Sequence, residues 1–429
     1  MPRTTHALGA LLLCLGTPTV AQETGTDNSC IEPLTIIENV RVFDGLEVIP
    51  EATVVIRCTL IDSVTRGNEA AARPAGSIVV DGRGKTLLPG LIDSHTHTNR
   101  RSMLERSLDF GVTTVFDMGS LASSFKAEMD AEVAQGAIRD RADMRGPVLW
   151  VTAPGSHGTQ FGDAPTLTNP EDADEFIDRL IADGADYIKV IYDNFKMIDR
   201  PVPTLSKETM QAVVDAAHRH GVMAVVHSRD VDAYADAAEA GADGFVHVPV
   251  DEVPGSDLVS LLHEKGIFVS PNLSGMTRAG QVLLDDDTIG PMLTENEIEN
   301  LKNFRQKHRE GGELIAYDSV RIFHESGLDV LAATDTPNAG TTVGASMHVE
   351  LELLVEVGLS TIDALAAATS TPARVFGLDD RGRIAEGLLA DLLLVEGSPV
   401  QAITDTRNIV SVWKAGKAHL REVAAGDTD

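Results

Sequence analysis

Basic residues are scarce in this chain. Its 429 residues include 35 Lys and Arg against 65 Asp and Glu, a formal net charge of −30. That balance excludes the basic footprint that a nucleic acid or an anionic membrane surface requires. Aromatic residues make up only 4%, too few for a base-stacking surface. The three cysteines, Cys14, Cys30 and Cys58, do not make a metal site. Beyond the N-terminus no apolar run approaches the ~18 residues needed to cross a bilayer. What is present is 43% hydrophobic residues and a mean hydropathy of −0.01, which excludes wholesale disorder. The length suits a large barrel with a satellite domain better than one small core.

The first 21 residues have their own logic. Arg3 precedes an apolar run over 7–16 (ALGALLLCLG), and Thr19-Val20-Ala21 closes it on a small residue. This is the layout of a secretory signal peptide, cleaved near Ala21, with a buried N-terminal helix as the alternative. Leu13 before Cys14 argues against a lipoprotein anchor. The mature protein is therefore expected to be exported, periplasmic or secreted. Loss of Cys14 leaves Cys30 and Cys58 as an even pair, suited to one disulfide in an oxidising compartment.

Short β-rich runs separated by turns occupy 35–42, 52–61 and 77–80, and the pattern returns over 390–395 and 409–415. These flanks predict a small β-sandwich built from both chain ends, in parts 30–85 and 378–422. Between them, residues 86–377 alternate strand-like runs with helix-period stretches such as 171–183, 207–220 and 231–240. The strand-like runs are LLPGLID (87–93), VTTVFDM (112–118), VLWVT (148–152), YIKVIY (187–192), VMAVVH (222–227), GFVHV (244–248), IFVSPN (267–272) and VLAATD (330–335). Eight strand–helix units predict an α/β fold of the (β/α)8 TIM-like barrel type. A doubly wound sheet would carry a Gly-rich phosphate loop after its first strand. Gly84-Lys85-Thr86 lacks it, since Val79 stands where the first glycine is needed.

In a barrel the active face lies at the C-terminal strand ends, so a histidine there is informative. His95-Thr96-His97 follows the first run, and side chains two apart on an extended segment share a side, so both imidazoles can meet one ion. His218-Arg219-His220 has the same spacing on a helix, where the side chains diverge by about 200°, and it reads as surface. His227 ends the fifth run and His247 lies near the end of the sixth. Each alone reads as a core histidine or a ligand; beside the first pair, both read as ligands. Asp335 closes the eighth run, where a buried carboxylate is costly unless something pairs with it. Lys189, one of only ten lysines, sits within YIKVIY, away from water. Burial lowers a lysine pKa, and the neutral amine can add CO2 to give a carbamate that bridges two ions. An ion pair with Asp335 or Asp186 is the alternative. Tyr192 could donate to a developing oxyanion or simply pack. His263, His308 and His324 read as structural, and His348 could border the pocket.

The ordered segments PGLIDSHTH (89–97), YIKV (187–190), VVHS (225–228), GFVHV (244–248) and ATDTP (333–337) resemble the amidohydrolase superfamily, and within it the imidazolonepropionase-like and prolidase-like metal-dependent hydrolases. PGSHG (154–158), GASMHVELELL (344–354) and GRIAEGLLADLLLVEGSP (382–399) stand in the same order, so the likeness spans about 35–420. The resemblance implies a binuclear centre. His95, His97 and Asp335 would hold one divalent ion and His227 and His247 the other, with carboxylated Lys189 and a hydroxide bridging them. Zinc suits imidazole and carboxylate donors; manganese or cobalt are alternatives. Asp335 would act as proton shuttle, and His157 corresponds to a substrate-contacting position.

The expected activity is hydrolysis of an amide or related C–N bond in a small-molecule substrate, such as a dipeptide, N-acyl amino acid or cyclic amide. A lactonase, esterase or phosphotriesterase using the same centre is the runner-up, and a non-catalytic exported metal-binding protein is the third reading. Arg229 and Arg278 are the candidates for holding a substrate carboxylate. No nucleic-acid partner and no membrane span is expected; a homo-oligomer is left open.

Overall fold

Valine- and isoleucine-rich segments from both ends of the chain hydrogen-bond into one sheet. Its strands run in the order Lys417–His419, Ile409–Lys414, Leu392–Glu396, Lys85–Pro89, Thr35–Phe43, Val48–Arg57 and Leu60–Arg66, with Ile78–Asp81 pairing parallel to Thr35–Phe43. Ile37, Val40, Val54, Leu87, Leu392 and Trp413 pack as its own apolar core. The computed structural model describes residues 32–67, 72–120, 123–162, 164–198, 200–306 and 308–421. The expected leader over 1–21 and Cys30 lie outside them, whereas Cys58 is disulfide-bonded. The sandwich expected from the two chain ends is thus a single eight-stranded sheet in its hydrogen bonding. The run 52–61 contains a hairpin turn, with Cys58 at φ 58°.

The middle of the chain forms two parallel sheets. Leu91–Thr96, Val112–Asp117 and Asp143–Arg145 make the first. Trp150–Val151, Ile188–Ile191, Ala224–His227, Gly244–Val246 and Phe268–Ser270 make the second. Helices alternate with these strands because the intervening segments carry caps and apolar stripes. Lys207–Arg219 starts where Ser206 accepts from the Thr209 amide, and buries Met210, Val213, Val214 and Ala217 at helical spacing. Val231–Ala240 starts on the Asp230 cap and ends at Gly241, whose φ of 92° an L side chain would resist.

Two expected strands take a different form. The run 148–152 is broken: Val148 has φ 66°, so Asp143–Arg145 pairs with one sheet and Trp150–Val151 with the other. The run 330–335 makes no ladder. Single parallel bridges join Val330 to Val269 and Thr336 to Thr96, so it bonds to an edge strand of each sheet. Asp335 lies in the left-handed region at φ 58°, which ends regular pairing there. The described residues from Glu32 onward belong to one compact unit. Among them no helix is long and apolar enough to cross a membrane.

Candidate metal centre and substrate cavity

The C-terminal strand ends bring ligand-type side chains together. His95 Nε2 lies 3.4 Å and His97 Nε2 3.1 Å from Asp335 Oδ1, and these three residues form a group able to hold one metal ion. The His95 ring centroid is 5.2 Å from that of His247, which is 4.6 Å from that of His227. Lys189 and Asp335 line the same cavity as the four histidines. The expected ligand residues therefore meet, from five stretches of chain spread over 240 positions.

Backbone and side-chain partners orient the imidazoles. His97 Nδ1 donates to the Gly119 carbonyl at 2.7 Å, and its Nε2 faces Asp335. The Asn272 amide, oriented to satisfy its neighbours, accepts from His95 Nδ1 at 3.0 Å and donates to the Ser270 carbonyl. His227 Nε2 lies 3.2 Å from Asp193 Oδ2, which also accepts from Arg229 Nε at 2.9 Å; Nδ1 of His227 is then the nitrogen left for a ligand role. A carboxylate or carbonyl behind His95, His97 and His227 fixes each tautomer, as metal-binding histidines require. His247, Asn272 and Asp335 all have positive φ. Tyr234 holds the first by donating its hydroxyl to the His247 carbonyl at 2.5 Å, and the Asp335 amide donates to the His95 carbonyl at 2.8 Å. Strain of this kind, held by surrounding bonds, is typical of functional sites.

The electrostatics favour neutral nitrogen donors. Burial pushes His95 and His247 well below the ordinary histidine value, and His227 down to about 4. His97 moves the other way: burial opposes its charge, but its hydrogen bond to Asp335 and that carboxylate's charge raise it. Lys189 is 2% exposed, and its Nζ has no hydrogen-bond partner among the described residues. Burial brings its pKa down to about 7. Among the described residues His95 Nε2 has no hydrogen-bond partner, with Asp335 Oδ1 3.4 Å away. Orphaned buried nitrogens cost free energy unless something occupies the space between them. The donor set and these orphans fit a divalent cation.

Three buried carboxylates that local sequence does not single out support the cluster. Asp93 accepts from the His95 and Thr334 amides and from the Thr334 hydroxyl, tying together the chain next to two ligand-type residues; burial raises it to about 7. Asp117 accepts from the Thr98 and Gly119 amides, and burial raises it to about 6. Glu350, on the helix Ser346–Glu356, accepts from the Leu273 and Ser274 amides at 3.0 and 2.6 Å, directly after Asn272.

The cavity has a volume of about 580 Å³, in the range that encloses a small molecule. His157 lines it, as expected, with Gln160 on its Nδ1 at 2.9 Å. Arg229 lines it too, while Arg278 faces a second hollow. Tyr192 is not brought to the cavity. Its hydroxyl donates to Asp236 at 3.0 Å, on the helix Val231–Ala240, so the oxyanion role gives way to packing. His348 is also elsewhere, fully buried with Nε2 3.1 Å from the Phe110 carbonyl. His218 and His220 pair at the surface with Asp243 and Asp178.

A family model described as the amidohydrolase family matches residues 86–419. The dihydroorotase of Endomicrobium trichonymphae is 24% identical over 354 residues, covering 74% of this chain and 80% of that protein. The imidazolonepropionase of Anaeromyxobacter dehalogenans is 24% identical over 367 residues, covering 77% and 80%. Among solved structures, a Xaa-Pro dipeptidase with methionine bound in its active site has a TM-score of 0.72 at 23% identity, over 90% of this chain and 99% of that one. This last likeness is one of fold.

Proposed function

The chain belongs to the amidohydrolase family, and from that premise we propose that it is a metal-dependent hydrolase of an amide or related C–N bond. One observation carries the reading: His95, His97, Lys189, His227, His247 and Asp335 line a single cavity. We read the two parallel sheets and 330–336 as one (β/α)8 barrel over 86–377, with the chain-end sheet as its satellite domain. Export through cleavage near Ala21 is part of the same proposal.

In this reading His95, His97 and Asp335 hold one divalent ion and His227 and His247 a second, with zinc favoured by the donor set. The bound pair would supply an activated water and polarise the scissile carbonyl. Lys189, poor in its proton through burial, would add its nitrogen to CO2 and release a proton, giving a carboxylate that could serve as a further oxygen ligand. Asp335 takes a proton from the attacking water and returns it to the leaving nitrogen. Asp193 keeps His227 in one tautomer. Arg229 in the wall gives a substrate carboxylate a cationic neighbour, which favours a dipeptide or N-acyl amino acid over a neutral lactone or phosphotriester.

Complete chelation should abolish turnover, and zinc should restore it. Asp335→Asn should lose turnover while metal stays bound, which separates an enzyme from a metal carrier. Activity that survived full metal removal would overturn the proposal.

A further inference from the structure

Aromatic residues are rare in this protein, twelve Phe, four Tyr and two Trp, yet three of them from separate segments line the one cavity: Trp150, Phe161 and Phe195. His157 joins them, its ring centroid 4.7 Å from Phe195 and 5.8 Å from Phe161, both edge-on. Phe161 in turn stands edge-on to Trp150 at 6.2 Å. The rings form a continuous wall that reaches His227, 5.1 Å from His157.

This wall is built rather than incidental. Trp150 is wedged between two glycines: a Cβ at 119 would come within 2.5 Å of the indole, and one at 158 within 2.2 Å of its Nε1. Both glycines have positive φ, 113° and 99°, so a side chain at either position is excluded on two grounds. Phe195 occupies the left-handed region at φ 57°, which a bulky residue avoids unless held. Asp193 holds it, accepting the Phe195 amide at 2.8 Å, while the Arg229 guanidinium lies 4.5 Å over its ring. The same Asp193 carboxylate orients His227. One buried acid thus fixes the aromatic seat relative to the ligand cluster. Phe161 is 62% exposed, so its ring is open to cover by an incoming group.

We propose that the cavity selects substrates bearing an aromatic ring, seated against Trp150, Phe161 and Phe195, close to the bond that is cut. This rests on the amide-hydrolase reading only for the bond, not for the ring. Ring-on-ring contact adds to ordinary apolar burial and prefers edge-on or offset geometry, and the wall offers both edges and faces.

The test separates binding from cleavage. With the metal-containing protein, tryptophan fluorescence is titrated with 3-phenylpropionate and with propionate, neither of which can be hydrolysed. Trp413, the other tryptophan, is buried in the chain-end sheet, so quenching reports Trp150. The expected result is saturable quenching with a Kd at least about tenfold lower for the phenyl compound. Phe161→Ala, at an exposed position that folding tolerates, should narrow that ratio about threefold or more. Equal Kd values, or a ratio that Phe161→Ala leaves untouched, would overturn the proposal. Turnover of N-acetyl-L-phenylalanine against N-acetylglycine completes the test. Amides cut without ring preference refute the aromatic seat alone. Selective ring binding with only lactones or esters cut refutes the amide reading and leaves the seat standing.

Discussion

Replacing Lys189 with methionine should make the metal-free protein more stable. The ammonium is 2% exposed, with no hydrogen-bond partner among the described residues, and burial brings its pKa from 10.5 to about 7. At about 1.4 kcal/mol per pH unit, keeping it charged costs up to about 4 kcal/mol at neutral pH. Because this basic group's folded value is depressed, the penalty is full below pH 7 and fades as pH rises toward 10.5. Methionine fills a similar volume without a charge. Urea denaturation of chelator-treated proteins should find Lys189→Met more stable by about 1–4 kcal/mol at pH 7, with the gap closing by pH 10. With metal restored the order should reverse, since the wild type gains binding free energy that the variant loses. A metal-free variant no more stable than wild type, or a gap indifferent to pH, would refute the reasoning.

Glu350, which braces the chain beside Asn272, offers a second pH test. Burial raises its pKa to about 8, above its ordinary value, so its contribution to stability is full below about pH 4.5 and lost as pH climbs through 8. Relative to Glu350→Gln, the wild type should lose about 4 kcal/mol between pH 4.5 and 8.5 in thermal or urea unfolding; parallel profiles would contradict this. Asp193→Asn should weaken metal binding about 10- to 100-fold in competition with a chelator, because the orienting carboxylate behind His227 is lost. Unchanged affinity would show that His227 needs no such support.

The meeting of the ligand-type side chains in one cavity was legible because strand geometry is periodic. Residues two apart share a face, so His95 and His97 could be paired from spacing, and His227, His247 and Asp335 stood at the ends of apolar runs. The same periodicity explains Tyr192. Three positions from Lys189 is an odd step along a strand and turns the side chain to the opposite face, toward Asp236. Asp193 was not legible, since its partners His227 and Arg229 lie 34 and 36 residues away and only the fold joins them. Glu350 reads as one of three glutamates on the helix Ser346–Glu356, and its role appears only when Leu273 and Ser274 are seen against it. Breaks in the third and eighth runs depend on left-handed backbone at Val148 and Asp335. Neither is a glycine, so no residue type announced them.

Metal analysis of the protein, coupled to anomalous scattering from its crystals, tests the central claim most directly. The account predicts two divalent ions per chain, one against His95, His97 and Asp335 and one against His227 and His247. A protein that binds no divalent ion when zinc is supplied, or binds it away from these side chains, would contradict it.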